Sequence, residues 1–169
     1  METMEAIRTR RSVREYTGEA VTDDELDRLL QAARWAPSGL NNQPWRFMKV
    51  TNRVLIDGLS ELTKYRGVVS GAEVLIAVFL DGREIYDRTK DLQSSGAALQ
   101  NILLAAHNMG LGACWLGEIL NRRQEAEELL KVSGDLEMVA VVALGRPVAR
   151  ERAGVRHPVE DMLVYQPER

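Results

Sequence analysis

Residues Val74 to Leu80 form an unbroken apolar run, Val-Leu-Ile-Ala-Val-Phe-Leu, closed by the turn-forming pair Asp81-Gly82, and Leu136 to Leu144 is nearly as apolar. A strand sends alternate side chains to opposite faces, so it stays this apolar only when both faces are covered. These stretches therefore read as interior strands of a sheet with helices on both sides. Trp45 to Thr51 and Ala113 to Leu116 supply two further strand segments. Helical patterns fall at residues 2 to 9, 23 to 36, 54 to 63, 91 to 109 and 122 to 131. The second opens on a capping box, Thr22-Asp23-Asp24-Glu25, and carries Leu26, Leu29, Leu30 and Ala33 at helical spacing. Helices and strands alternate without a regular βαβ cadence. The expected class is α+β: a three-layer domain with a mixed, mostly antiparallel central sheet.

A chain of 169 residues, 45% hydrophobic and 28% charged, has the composition of one globular domain spanning residues 1–169. Its net charge of −3 argues against a nucleic-acid partner, because such binding rests on many cationic phosphate contacts. A local basic cluster in an acidic chain points instead to a small anion. One cysteine, Cys114, excludes an intrachain disulfide and a multi-cysteine metal site, and no metal is expected. The start, Met1-Glu2-Thr3-Met4-Glu5, lacks the order of an export signal, and no apolar run approaches the roughly 20 residues of a membrane span. A cytoplasmic protein with no membrane partner is the expectation.

The longest helix places Gly96, Ala97, Ala98, Ala105 and Ala106 beside Leu92, Leu99, Ile102 and Leu103. Small residues there permit close backbone approach, which serves tight packing in one subunit and a dimer seam equally well. The tail from Val155 has too few apolar residues to pack alone and is expected to reach across another surface.

Residues 35 to 47, Trp-Ala-Pro-Ser-Gly-Leu-Asn-Asn-Gln-Pro-Trp-Arg-Phe, combine turn formers with amide side chains. Pro37 and Pro44 fix φ and remove donors, Gly39 allows close backbone approach, and Asn41, Asn42 and Gln43 add donors and acceptors. Upstream, Arg10, Arg11 and Arg14 surround the hydroxyl of Ser12. Forked guanidinium donors with a serine suit a phosphate. Arg156 could close the same site. Spacing alone favours a plainer reading, in which these arginines sit at a solvated helix end and pair with Glu5, Glu15 or Glu19.

Gly110-Leu-Gly-Ala-Cys-Trp-Leu-Gly117 follows a helix and precedes a strand, the reverse of a dinucleotide fingerprint, and no P-loop is present. Gly117 marks a place where bare backbone meets a partner, or a β-bulge. His107, His157 and Cys114 show no pattern of activation, and no Gly-x-Ser-x-Gly elbow exists. A cradle with few reactive side chains is what a chain needs when its cofactor carries the chemistry.

Ala6-Ile7-x-x-Arg10-Arg11-Ser12-x-Arg14-x-Tyr16 and Ala36-Pro37-Ser38-Gly39-x-Asn41-x-Gln43-Pro44-Trp45 together resemble the opening of the FMN-dependent nitroreductase family. Gln100-Asn101-x-Leu103-Leu104-Ala105-Ala106, Gly110-Leu111-Gly112-x-Cys114-Trp115-x-Gly117, Leu144-Gly145-x-Pro147 and Arg156-x-Pro158 continue the likeness over nearly the whole chain. The resemblance implies a nitroreductase-like α/β/α homodimer with FMN at the subunit interface and the tail over the partner subunit. It implies that Arg10, Arg11, Ser12, Arg14 and Arg156 hold the phosphate and the polar ring edge. Pro37, Ser38 and Gly39 would come from the partner subunit, Asn41 and Gln43 would touch the cofactor or fix the loop, and Leu116, Gly117 and Glu118 would line the flavin. The implied activity is ping-pong hydride transfer from NAD(P)H to a small electron acceptor such as a nitroaromatic or quinone. Alternatives are a specialised flavoprotein of the same fold, dehalogenase-like or flavin-fragmenting, and a non-catalytic dimeric module. The chain departs from longer members at the short connection from Leu80 to Asp91, at Ser94 in place of an acidic residue, and at Gly154 in place of a second cation, for which Arg152 would compensate. Lys64-Tyr65-Arg66 falls where relatives place a ribityl or ring contact.

Overall fold

In the computed structural model, residues 1–149 and 154–164 are described, so Arg152 lies outside the described residues. Six α-helices are present among them: α1 (Thr3–Thr9), α2 (Asp23–Arg34), α3 (Arg53–Ser60), α4 (Arg66–Ser70), α5 (Arg88–Asn108) and α6 (Arg123–Leu130). Four strands, β1 (Trp45–Val50), β2 (Val74–Asp81), β3 (Gly112–Leu116) and β4 (Leu136–Gly145), form one sheet in the order β1-β2-β4-β3. The two apolar runs are its two central strands. α4 is the one helix that periodicity passes over, being too short at five residues to show a helical repeat.

Every neighbouring pair is antiparallel, β1 with β2, β2 with β4 and β3 with β4, so the sheet expected to be mixed and mostly antiparallel is antiparallel throughout. β2 and β3 do run parallel to each other, joined by α5, but β4 lies between them. The chain thus contains a crossover between parallel strands without a parallel ladder.

Helices cover both faces. Leu26, Leu29 and Ala33 of α2 and Leu99, Ile102 and Ala106 of α5 pack on Ile76, Val78, Ala140 and Val142. On the other face, Ile56 and Leu59 of α3, Val69 of α4 and Ala126 of α6 pack on Leu75, Ala77, Phe79 and Val141. Val139 and Ala140, although consecutive, both face the α2–α5 layer. A bulge between Val78 and Phe79, which pair with Ala140 and Met138, inserts the extra residue and reverses the alternation.

The capping box of α2 is complete, with Glu25 N–H donating to Thr22 Oγ1 at 3.2 Å and Thr22 N–H to Glu25 Oε2 at 2.9 Å. Arg146, just beyond β4, pairs with the same Glu25 at 2.8 Å and ties the start of α2 to the end of the sheet. On α5 the buried stripe runs through Asp91, Ser94, Ser95, Ala98, Leu99, Ile102, Leu103 and Ala106, while Gly96, Ala97 and Ala105, expected inward, are only half-buried. Among the described residues, no helix is long and apolar enough to cross a membrane.

Candidate functional site

The basic segment leaves α1 and runs along the edge of the sheet. Val13 N–H donates to Ala113 O of β3 at 2.9 Å, Thr17 N–H to Arg146 O at 3.0 Å, and Tyr16 pairs with Pro147. Tyr16 Oη donates to Val13 O at 2.9 Å or Ala143 O at 3.2 Å. Two glycines make this docking possible: a Cβ on Gly112 would stand 2.6 Å from Val13 Cγ1, and one on Gly145 2.7 Å from Tyr16 Cδ1. The segment is therefore held at a fixed height on β3.

Held in this way, Arg10 is half-buried at the C-cap of α1. Burial first, then the charges of Arg156 and Arg11, push its guanidinium pKa below the ordinary value. Arg11 donates to Arg8 O and Arg10 O at 2.7 and 2.9 Å and lies so close to Gly154 that a Cβ there would be 2.6 Å from its Nε. A side chain at position 154 would displace that guanidinium. Ser12 is half-buried and Arg14 exposed, with Arg14 and Arg10 both near enough to Cys114 to act on its thiol. Arg10 and Arg14 form no ion pair among the described residues, so the pairing with Glu5, Glu15 or Glu19 favoured by spacing is not made by these two. Arg10, held among other cations with no ion pair among the described residues, is a candidate anion-binding group.

Beside it a cavity of about 350 Å³ is lined by Thr9, Arg10, Arg11, Leu103, His107 and Pro147, among others. His107 Nε2 stands 2.7 Å from Thr9 Oγ1, whose single hydrogen goes to Glu5 O at 2.7 Å. A threonine hydrogen on Glu5 O is compatible with an imidazole that donates through Nε2–H. Burial, followed by Arg10 and Arg11, holds its pKa below the ordinary imidazole value, while Glu5 opposes the shift. Histidine 107 is thus a neighbour of the cationic cluster that sequence reasoning left unassigned. Cys114 is buried, and burial pushes its thiol pKa up against the opposing charges of Arg14 and Arg10.

The amide loop is strained. Leu40 and Asn41 both have φ of 55° and Gln43 has 48°, left-handed values that non-glycine residues rarely adopt. Ser38 Oγ accepts from Gln43 N–H at 3.0 Å, and Gln43 Nε2 donates to Asn41 O at 3.2 Å. Gly39 packs against Tyr86, where a Cβ would come within 2.2 Å of the phenolic oxygen. Pro37, Asn41 and Gln43 are exposed. Within one chain this loop does not meet the arginines: Asn42 bonds Asp91 at the start of α5, whereas Thr9 bonds His107 at its end. Sixteen residues of helix at 1.5 Å each separate those anchor points by about 24 Å.

At the end of β3, the Leu116 side chain is buried in the α3–α6 layer, leaving only its backbone to face a ligand. Gly117 is exposed. Glu118 accepts from Thr63 Oγ1 at 2.7 Å, Lys64 N–H at 2.9 Å and Asn121 Nδ2 at 3.3 Å. Those bonds, Thr63 first, hold its pKa below the ordinary carboxylate value. Its carboxylate is thereby committed to anchoring the Lys64–Arg66 segment beside Gly117.

The model of the nitroreductase family matches residues 7–66 and 58–146, most of the chain. The chain belongs to the nitroreductase family. As a member it is an oxidoreductase. A Methanothermobacter thermautotrophicus protein provisionally named an NADH dehydrogenase/NAD(P)H nitroreductase is 35% identical over 92% of this chain and 82% of its own. The Bacillus subtilis FMN reductase [NAD(P)H] is 25% identical over 94% of this chain and 71% of its own length. Among solved structures, a provisionally named Desulfovibrio desulfuricans nitroreductase in complex with FMN superposes with a TM-score of 0.92 at 44% identity, over 97% of this chain and 96% of that one. This nitroreductase-family member therefore shares its α+β fold with a protein crystallised on a flavin.

Proposed function

We propose that two copies of this chain, each a single cofactor-binding domain over residues 1–169, jointly hold FMN and form a cytoplasmic NAD(P)H-dependent oxidoreductase for electron-poor small molecules. The observation that carries the reading is the convergence of Arg10, Arg11 and Arg156 at one end of α5, with no carboxylate on Arg10, while the strained amide loop sits at the other end. A phosphate fits the first element and a planar ring edge suits the second. A 24 Å span, as estimated above from the helical rise, prevents one chain from applying both to the same molecule. A second copy supplies the missing half, with its tail lying over this subunit.

When bound, FMN supplies alternate acceptance and release of hydride between NAD(P)H and an acceptor such as a nitroaromatic or quinone, in a ping-pong order. The chain's own residues bind and tune. Arg10, Arg11, Ser12 and Arg156 hold the phosphate by charge-assisted hydrogen bonds. Arg14 offers positive charge to the polar ring edge, which favours the reduced, more anionic state. Leu116 and Gly117 contribute backbone, and Glu118 acts by holding Lys64 and Tyr65 in place. Pro37, Ser38, Gly39, Asn41 and Gln43 come from the other subunit.

The experiment is a visible spectrum of the purified protein under anaerobic conditions. A yellow preparation that NADH or NADPH bleaches, and that a nitroaromatic or quinone re-oxidises, is the expected result. A colourless protein that takes up no added FMN would overturn the reading.

A further inference from the structure

Asp91 is fully buried in the first turn of α5, and the functional reading gives it no role. Its Oδ1 accepts from Asn42 Nδ2 at 2.9 Å, and its Oδ2 from the backbone N–H groups of Tyr86 at 3.0 Å and Asp87 at 3.2 Å. It makes no ion pair among the described residues. A buried carboxylate without a cation depends entirely on such donors. All three belong to segments that shape the amide loop. Asn42 lies inside it and also donates to Glu84 O at 2.8 Å, and Tyr86 is the ring on which Gly39 rests. The carboxylate thus fastens both the loop and the short connection after β2 to one helix end. Left-handed backbone at Leu40, Asn41 and Gln43 persists only where surroundings over-determine it.

We infer that Asp91 is a positioning residue for the cofactor loop: without touching ligand, it holds Ser38, Gly39 and Asn41 in the arrangement that meets the flavin bound on the other subunit. This rests on the proposed flavin site. Asp91→Asn keeps the side-chain shape but turns one acceptor oxygen into an amino group facing a donor. The full-length Asp91→Asn, Asn42→Ala and doubly substituted proteins should be compared with the unmodified chain by FMN fluorescence titration, circular dichroism and light scattering. Each single substitution should weaken FMN binding at least tenfold while the fold and dimer mass are kept. The double variant should bind no worse than the weaker single one, since both act through one contact. A mixed dimer of Asp91→Asn and Arg10→Ala subunits, purified on two tags, should recover one tight FMN site. Unchanged affinity in a folded Asp91→Asn dimer, additive effects in the double variant, or a mixed dimer with no tight site would each overturn the inference. Should Asp91→Asn not fold, Asn42→Ala decides, and unchanged affinity there overturns it. An unmodified protein that binds no FMN defeats the flavin reading and this inference together, whereas tight binding unaffected by either substitution defeats this inference alone.

Discussion

Arg10 carries the heaviest local burden, because it is half-buried with like charges around it and forms no ion pair among the described residues. Removing it should relieve repulsion in the empty protein yet weaken FMN binding by more than tenfold, since a charged hydrogen bond contributes about 1.5–3 kcal/mol. Fluorescence quenching of added FMN by Arg10→Ala measures this directly. His107 makes a separate prediction. Its folded pKa lies below its unfolded value, so under acid the unfolded chain binds a proton that the native one refuses. Stability from this group is complete above about pH 6.5, the ordinary imidazole value, and falls as pH drops below it. His107→Gln should flatten that part of the melting-temperature profile between pH 7.5 and 5.5, and an unchanged slope would contradict the assignment. The arginine cluster was visible as a local pattern, but its reading as a phosphate site came through the family likeness, because spacing alone favoured a solvated helix end. Asp91 was not legible, since its meaning depends on partners at Asn42 and Tyr86; its one sequence signal is its place on the same helical face as Ala98 and Ile102, where a charge must find donors.

Among elements, the segment Val13 to Thr17 is the least independent, being shaped by the sheet edge it lies on. Gly145→Ala tests that dependence, because the added methyl would meet Tyr16 Cγ at 2.8 Å and Cβ at 3.0 Å. Neither atom can swing clear without moving backbone. A loss of about 1–3 kcal/mol in urea unfolding is expected, the usual effect of overpacking, together with weaker FMN binding as the arginines shift. Strands β2 and β4 could be placed from sequence because complete burial leaves an unbroken apolar run. The strand order β1-β2-β4-β3 could not, because it is decided by which edge of the sheet each helical connection returns to. Local sequence does not record that. The loop conformation was likewise only half readable: Pro37, Gly39 and Pro44 announce a turn, but nothing in Leu40 or Gln43 announces a left-handed backbone.

At the scale of the molecule, α5 acts as a spacer that keeps the two halves of the proposed site apart in one chain. The expected consequence is that cofactor content follows association: dilution that yields monomers should release FMN, as size-exclusion chromatography with in-line absorbance would show. A monomer retaining one FMN per chain would reject the shared arrangement. A dimer could be proposed only through the family likeness, because the small residues of α5 suit intrachain packing as well, and Ala98 and Ala106 prove to be buried in the protein's own core. The buried Cys114 has a practical corollary. A thiol both shielded and reluctant to ionise is slow to react with peroxide or maleimide. A new surface cysteine could therefore carry a spin label or dye with the native one left in place.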